Sequence, residues 1–141
     1  MIRYIDTSVL VAAFTREAAT ERCQAWLMQF DPDTLAISDW VATEFSAALS
    51  VKLRTGAISV AERAEALAAF EVMASRSVRV LPVERSHFQG AAGLATQYTL
   101  GLRAGDALHL ALALDCGASL HTLDRGLADA AGALGARVEL L

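Results

Sequence analysis

Short apolar runs rich in β-branched residues alternate with longer segments of helical periodicity along the whole chain. The runs predict strands over residues 2–5, 34–38, 78–82, 118–122 and 136–140. The longer segments predict helices over residues 9–17, 19–30, 39–54, 60–76, 84–99 and 104–115, with a last short helix from Asp124. Strands that alternate with helices pack as a parallel sheet, whose functional sites lie at the carboxyl ends of its strands. We therefore predict an α/β fold.

Several predicted helix ends carry capping residues. Thr7 or Ser8 is expected to cap the first helix, and Ser38 the helix that follows the second strand. Gly56 should end that helix, so that it forms a helical hairpin with the next one. The 104–115 helix is apolar nearly all round, which places it at the centre of the fold.

Length and composition indicate how many domains the chain forms and where in the cell it is expected. The 141 residues contain no linker, repeat or low-complexity tract, so residues 1–141 are expected to form one domain. No apolar run approaches the roughly 18 residues needed to span a bilayer, and the first residues lack the pattern of a secretory signal. We expect a cytoplasmic protein without a membrane segment.

Charge, cysteines and apolar content bear on possible partners. The formal net charge of −4 argues only weakly against a nucleic-acid partner, because acids in a metal site count toward it. Cys23 and Cys116 have no paired spacing and are expected to be buried free thiols. Hydrophobic residues make up 55% of the chain, and the amphipathic helices around Trp26, Phe30 and Trp40 are expected to form a groove for a partner helix.

Four acidic residues stand in or beside apolar segments. Asp6 closes the first predicted strand, and Glu44 interrupts the apolar stripe of the 39–54 helix. Asp106 opens the almost uncharged segment DALHLALAL, and Asp124 follows the strand SLHT. Packing around one core would bring these carboxylates together, and crowded carboxylates repel one another unless protons or a divalent cation neutralise them. The four acids therefore predict a metal site.

The ligand type indicates which metal would bind. Carboxylates suit Mg²⁺ or Mn²⁺, whereas zinc prefers His or Cys, and the three histidines show no ligand spacing. A Mg²⁺ ion held by few carboxylates keeps bound water, which can be activated to attack a phosphodiester. We expect Asp6 and Asp106 to be the central ligands, with Glu44 and Asp124 binding directly or through water.

Each acid taken alone also has a structural explanation. Asp6 and Asp124 could cap helices, Asp106 could complement a helix macrodipole, and Glu44 could pair with an arginine. The combination of all four, in this order on alternating strands and helices, is harder to explain by structure alone. It favours a functional site.

The four acids and their neighbouring residues resemble the PIN-domain ribonucleases, and closely the VapC-like toxins of type II toxin–antitoxin pairs. The resemblance rests on the segments DTSVLVAAF (6–14), SDWVATEFSAAL (38–49), GLRAGDALHLALA (101–113) and TLDRGLADA (122–130). It implies a three-layer α/β/α fold with a mainly parallel central sheet of four or five short strands. It also implies a metal-dependent endoribonuclease that hydrolyses RNA, a cognate antitoxin that inhibits it, and a homodimer.

The resemblance assigns catalysis and the binding of Mg²⁺ or Mn²⁺ to Asp6, Glu44, Asp106 and Asp124. Ser8 and Thr122 match hydroxyl positions of the family pattern, although a cap or turn role explains either equally well. Arg103 lies one helical turn before Asp106, where it could bind a substrate phosphate or pair with the acids.

The last motif departs from the family pattern. Gly126 and Leu127 stand where the family often has a second acid and an aromatic residue, so no further ligand is expected there. Asp129 is expected on a solvated helix face. His109 is expected to be a core residue within reach of Asp106.

Other enzymes that place an aspartate after a first strand fit the chain poorly. A haloacid-dehalogenase-like phosphatase needs a second Asp at Ser8, and a response-regulator receiver needs a lysine near its end, yet the chain has only Lys52. A non-catalytic domain that binds metal for stability, or sequesters a partner, is the alternative. A structural site loses stability with its ligands, whereas an active site gains stability when crowded acids are neutralised. Transfer, ribosomal and messenger RNA are all compatible substrates of the nuclease.

Overall fold

A computed structural model describes residues 1–141 as a five-stranded sheet with helices on both faces. The strands are β1 (Arg3–Ile5), β2 (Leu35–Ser38), β3 (Arg79–Leu81), β4 (Ser119–Thr122) and β5 (Val138–Leu140). The helices are α1 (Thr7–Phe14), α2 (Thr20–Leu27), α3 (Asp39–Arg54), α4 (Val60–Arg76), α5 (Arg85–Thr96), α6 (Ala104–Asp115) and α7 (Arg125–Ala133). Two 3₁₀ helices cover Pro32–Thr34 and Tyr98–Leu100.

The strands lie in the order β3-β2-β1-β4-β5, and every neighbouring pair is parallel. The chain proceeds from β1 to β2 to β3 in one direction, then returns past β1 to add β4 and β5 on the other side. In the shared register, Tyr4 lies opposite Leu120 and Ile5 lies opposite His121. Because the winding reverses between β1 and β4, their carboxyl ends border the crevice in which open α/β sheets bind ligands.

Successive residues of β1 and β4 face opposite sides of the sheet. Tyr4 forms a hydrogen bond with His109 of α6, whereas His121 packs on Trp26 of α2 with ring centroids 4.7 Å apart. Tyr4 and His121 belong to opposite faces because Ile5, not Tyr4, is the register partner of His121. Helices α2 and α6 therefore cover opposite faces, and the predicted three-layer α/β/α fold is confirmed, with five parallel strands.

Helix pairs complete the core. Helix α6 buries every residue from Ala107 to Ala113, as predicted, and packs against α5. Helices α3 and α4 form the predicted hairpin, with Phe45 stacked on Phe70 at a centroid distance of 4.5 Å. The turn between them uses Gly56 at φ +77°, a conformation that glycine adopts without strain. None of the seven helices combines the length and apolarity needed to cross a bilayer.

The side-chain caps predicted for α1 and α3 are not formed. Asp6 occupies the N-cap position of α1, and neither Thr7 nor Ser8 caps the helix because both hydroxyls donate to carboxylates instead. Ser38 does occupy the N-cap position of α3, but its hydroxyl forms a hydrogen bond with Tyr4 and not with the helix. These hydroxyls serve contacts between elements, which sequence spacing alone does not show.

Two other local predictions also need correction. The helix predicted over 84–99 ends at Thr96, because Gln97 leaves the helical conformation with ψ 78° and a 3₁₀ turn follows. The helix predicted over 19–30 ends at Leu27. Cys23 is buried as predicted, but Cys116 is exposed at the end of α6, where its thiol donates to the carbonyl of Ala113.

His121 is a buried histidine of the central sheet, with 3% of its surface exposed. Its Nε2 pairs with the Ser119 hydroxyl at 2.8 Å, while its Nδ1 lies 3.2 Å from Glu139 without forming a hydrogen bond. Burial, together with the positive charge of Arg3, lowers the pKa of His121 from 6.5 to about 4. The Glu139 side chain is 55% exposed, so solvent screens the opposing effect of its charge.

We expect the fold to lose stability through His121 as the pH falls from 7 to 4.5. The unfolded side chain takes up a proton near pH 6.5 and the folded one near pH 4, so stability present above pH 6.5 is lost as the pH falls toward 4. The loss is on the order of 2 kcal/mol. His121→Gln, which does not titrate, should lose correspondingly less in urea unfolding followed by circular dichroism. Equal losses in both proteins would contradict this assignment.

Candidate active site

Asp6 lies at the carboxyl end of β1, with 5% of its surface exposed. Its Oδ2 accepts hydrogen bonds from the hydroxyls of Ser8 and Thr122, both at 2.7 Å. These hydroxyls are oriented, because Ser8 accepts the backbone N–H of Leu123 and Thr122 accepts that of Asp124. The lone pairs of each hydroxyl face a backbone donor, so its hydrogen points at Asp6. Both predicted hydroxyl residues therefore contact the first acid.

Glu44 reaches the same place from α3. Its Oε1 accepts a hydrogen bond from the Thr7 hydroxyl at 2.8 Å and another from Nε2 of His109. Burial alone would raise the pKa of Glu44, but the hydrogen bond and positive charge of His109, helped by Thr7 and Arg103, hold that pKa below its ordinary value. Glu44 is therefore a carboxylate that the surrounding donors keep ionised.

Asp106 in the first turn of α6 and Asp124 after β4 are held together by Arg103. The guanidinium donates through Nε to Asp106 at 2.9 Å and through Nη2 to Asp124 at 2.7 Å. Burial raises the pKa of Asp106, Arg103 opposes that rise, and the charges of Asp124 and Asp6 add to it. The hydrogen bond and charge of Asp106 in turn raise the pKa of Arg103. The predicted pairing of Arg103 with the acids is present.

Asp124 has two structural functions at once. Its Oδ1 accepts the backbone N–H of Leu127 and so caps α7, while its Oδ2 faces Arg103. The helix-cap explanation is therefore correct for this residue, and the same carboxylate also lies among the predicted site residues. Gly126 follows directly, and a Cβ there would lie 3.2 Å from Oδ1 of Asp124. Any side chain at position 126 would crowd this carboxylate.

The four predicted acids converge on a single cleft of about 420 Å³ at the crevice between β1 and β4. Ser8 and Arg103 also line it, whereas Thr122 is fully buried beneath Asp6. All seven residues selected from the sequence thus lie in or directly beside this cleft. Asp129 is exposed on α7 and does not line the cleft.

Two residues of the site were not selected from the sequence. The helical spacing suggested a hydrogen bond from His109 to Asp106, and this bond is not formed. His109 instead contacts Glu44 and lies 3.3 Å from Oδ1 of Asp6. Ligand atoms of Asp6, Glu44 and His109 lie within 4.8 Å of one another, close enough to surround one metal ion. Thr7 was considered only as a cap. Helical spacing connects His109 to residues of its own helix, so only the packing of α6 on β1 and α3 could reveal these contacts.

The three aromatic residues expected to form one groove lie in two places. Trp26 and Phe30 pack on each other with ring centroids 5.1 Å apart, and Trp26 also packs on His121. Trp40 instead lines an apolar cavity of about 250 Å³ between α3, α5 and α6, with Phe88 at its rim. A single groove made by all three residues is therefore not present.

The fold and the site define a class of protein, namely parallel α/β domains with four acids at the point where the strand order reverses. The model of the PIN domain family matches residues 3–133, and the chain belongs to this family. A search of curated protein sequences finds no match.

Several solved structures have a similar fold. VapC20 of Mycobacterium tuberculosis, described as a sarcin-ricin loop cleaving toxin, has a TM-score of 0.77 and 18% identity over 99% of this chain and 98% of its own. FitAcB of Neisseria gonorrhoeae has a TM-score of 0.70 and 19% identity, covering 97% and 96% of the two chains. VapBC2 of Rickettsia felis, bound to a DNA fragment from its promoter, has a TM-score of 0.66 and 16% identity, covering 99% and 98%. The likeness extends over nearly the whole length of each chain.

Gly105 is expected to be required for the position of Glu44. A Cβ added at Gly105 would lie 2.9 Å from Oε2 of Glu44 and 3.5 Å from the Trp40 ring. In Gly105→Ala the Glu44 carboxylate must therefore move, and the imidazole NMR signals of His109 should shift. The free energy of unfolding should change by less than about 1 kcal/mol, because the helix propensity of alanine offsets the crowding of a flexible side chain.

Gly93→Ala is the matched control, since a Cβ at this position in α5 meets no atom within 4 Å. It should gain roughly 0.5–1 kcal/mol from helix propensity and leave the His109 signals unchanged. Unchanged His109 signals in Gly105→Ala would show that Glu44 is not constrained by this contact.

Proposed function

We propose that the chain is a divalent-metal-dependent endoribonuclease, the toxin of a type II toxin–antitoxin pair, with residues 1–141 as a single nuclease domain. The observation that carries this proposal is the convergence of four carboxylates and one arginine in a single cleft at the carboxyl ends of β1 and β4. Such crowding is costly unless a cation neutralises it. Membership of the PIN domain family supports nuclease activity as the use of this cleft.

The side chains that face the cleft fit Mg²⁺ or Mn²⁺, because they offer the carboxylate oxygens that these ions prefer. Asp6 and Asp106 are proposed as the central ligands, with Glu44 and Asp124 binding directly or through water. When bound, such an ion would neutralise phosphate charge and lower the pKa of a water molecule, which could then lose a proton and attack a phosphodiester. The acids of the cleft would hold the ion at the point where the strand order of the sheet reverses.

Arg103 is proposed to bind the scissile phosphate. Its side chain is 75% exposed while its guanidinium bridges Asp106 and Asp124. An exposed guanidinium can exchange carboxylates for phosphate oxygens without leaving a charge buried, and its planar donors match both groups. With the charge of the acids neutralised by a bound cation, the Arg103 guanidinium would be free to contact a substrate phosphate.

The electrostatics of Asp106 favour a functional site over a purely structural one. Burial raises the pKa of Asp106, and the charges of Asp124 and Asp6 raise it further, although Arg103 compensates in part. The ionised form of Asp106 is thus held at a cost in folding stability. Groups whose environment works against their charged form in an open cleft are typical of active sites.

RNA as the substrate and an antitoxin as the partner are proposed from the similar structures. VapC20 is described as a toxin that cleaves the sarcin-ricin loop, and VapBC2 and the FitAB proteins were solved with DNA. A structure from Klebsiella pneumoniae is described as a toxin–antitoxin complex. We propose by analogy a cognate antitoxin and a homodimer for this chain.

Cleavage of RNA by the purified protein tests the proposed activity. With total RNA and Mg²⁺ or Mn²⁺ we expect discrete fragments, and chelator should abolish them. Asp6→Asn should lower the rate by more than about 100-fold, because it removes a proposed metal ligand. Asp129→Asn, a surface acid outside the cleft, is the matched control and should cleave like the parent. Equal cleavage by Asp6→Asn and the parent, or none by the parent with either metal, would contradict the proposal.

Expression in a bacterial host tests the proposed toxin role. Induction of the parent chain should arrest growth, while induction of Asp6→Asn should not, because arrest depends on the acidic site. Co-expression of the protein encoded by the adjacent gene should restore growth, and the two proteins should purify together. Normal growth on induction of the soluble, folded parent chain would count against a toxin.

A further inference from the structure

His109 is a buried imidazole whose two ring nitrogens both have side-chain partners. It lies in the middle of α6 with no exposed surface, between the buried residues Leu108 and Leu110. Its Nε2 faces the acidic cleft, and its Nδ1 faces the interior of the fold. The ring therefore connects the core of the sheet to the site.

The partners on the cleft side require a hydrogen on Nε2. Oε1 of Glu44 accepts from Nε2, and Oδ1 of Asp6 lies 3.3 Å from the same atom. The Thr7 hydroxyl, 3.4 Å from Nε2, already donates its hydrogen to Glu44 and can only accept from the ring. Since every neighbour of Nε2 is an acceptor, Nε2 carries a hydrogen.

The partners on the core side fix the orientation of the ring. The Tyr4 hydroxyl lies 2.9 Å from Nδ1 and 2.7 Å from the hydroxyl of Ser38, and both residues have no exposed surface. Burial raises the pKa of Tyr4 well above its ordinary value, so the phenol keeps its hydrogen. Hydrogen bonds between Ser38 and Tyr4 and between Tyr4 and Nδ1 thus link the core side of the ring to two buried hydroxyls, whichever group donates in each. The Ser38 hydroxyl is free for this contact because it does not cap α3.

We propose that His109 is a positioning residue of the metal site. The hydroxyls of Ser38 and Tyr4 hold the imidazole ring in place, so that its Nε2–H keeps the carboxylates of Glu44 and Asp6 at a set separation. This inference rests on the proposed function, because it concerns the same acids as metal ligands. One N–H placed between two carboxylates reduces their repulsion and holds them before the ion arrives. Arg103 does the same for Asp106 and Asp124, but from the exposed side.

Binding of Mn²⁺ alone, measured by titration calorimetry on the full chain, tests this role without substrate. His109→Leu removes the hydrogen bonds of the ring to Tyr4 and to Glu44. It should weaken Mn²⁺ binding by about 10- to 100-fold, the usual effect of losing a group that orients metal ligands. His109→Gln places an amide N–H near the position of Nε2, and should recover most of the affinity. A purely structural role predicts no such recovery.

Tyr4→Phe removes one hydroxyl and leaves His109 in place. It should weaken Mn²⁺ binding by at least about threefold, because the ring loses the partner that fixes its orientation. If His109→Leu fails to fold, this variant decides. His87→Gln is the control, since His87 pairs with Asp115 in another part of the fold and its loss should leave Mn²⁺ affinity unchanged.

Two results separate this inference from the proposed function. A folded parent chain that binds no Mn²⁺ overturns the metal site itself, and the role of His109 with it. A parent that binds Mn²⁺ while folded His109→Leu or Tyr4→Phe binds equally well overturns only the positioning role. Affinity in His109→Gln as low as in His109→Leu also overturns it, because a donated N–H would then not be what matters.

Discussion

The structure of the site depends on keeping a negative charge buried at the end of β1. Asp6 is almost inaccessible to water, and an unpaired carboxylate there would cost several kcal/mol. The fold meets this requirement with hydroxyl donors from two elements, Ser8 of α1 and Thr122 of β4, while Nε2 of His109 in α6 lies 3.3 Å from the other carboxylate oxygen. The reversal of strand order brings β4 next to β1, so the same topology that opens the crevice supplies the hydroxyl that stabilises its first acid.

The four acids form two pairs that are stabilised differently. Asp6 and Glu44 are stabilised by the buried imidazole of His109 and by three hydroxyl groups, of which those of Thr7 and Thr122 belong to buried residues. Asp106 and Asp124 are neutralised by the guanidinium of Arg103, which lies mostly in water. One pair is therefore held mainly by buried groups, while the other is held by a side chain that is largely exposed to solvent. A cleft built in this way combines a half held from the core with a half held from the surface.

Much of this arrangement was predictable, for identifiable reasons. Apolar periodicity located all five strands and the central position of α6, because burial of apolar surface dominates element formation. Acids inside apolar segments were conspicuous, so Asp6, Glu44, Asp106 and Asp124 could be selected before their distances were known.

What escaped prediction depends on contacts between elements far apart in sequence. The Thr7 hydroxyl donates across to Glu44 of α3, and His109 of α6 meets Tyr4 of β1. A hydroxyl at a helix start has the same sequence signature whether it caps the helix or serves a distant carboxylate. The end of α5 at Thr96 was also missed, since no proline or glycine marks it.

Helix α6 and the residue before it carry a large share of the site within two turns. Each of four residues makes a different contribution: Arg103 an exposed cation, Gly105 the space for Glu44, Asp106 a carboxylate and His109 a buried donor. A shift of one residue in the register of this helix rotates all of them by about 100°. An insertion or deletion between Arg103 and His109 would thus change the relative directions of these side chains. Length variation among relatives should therefore fall before Arg103, where Gly101 at φ +64° forms the turn into the helix.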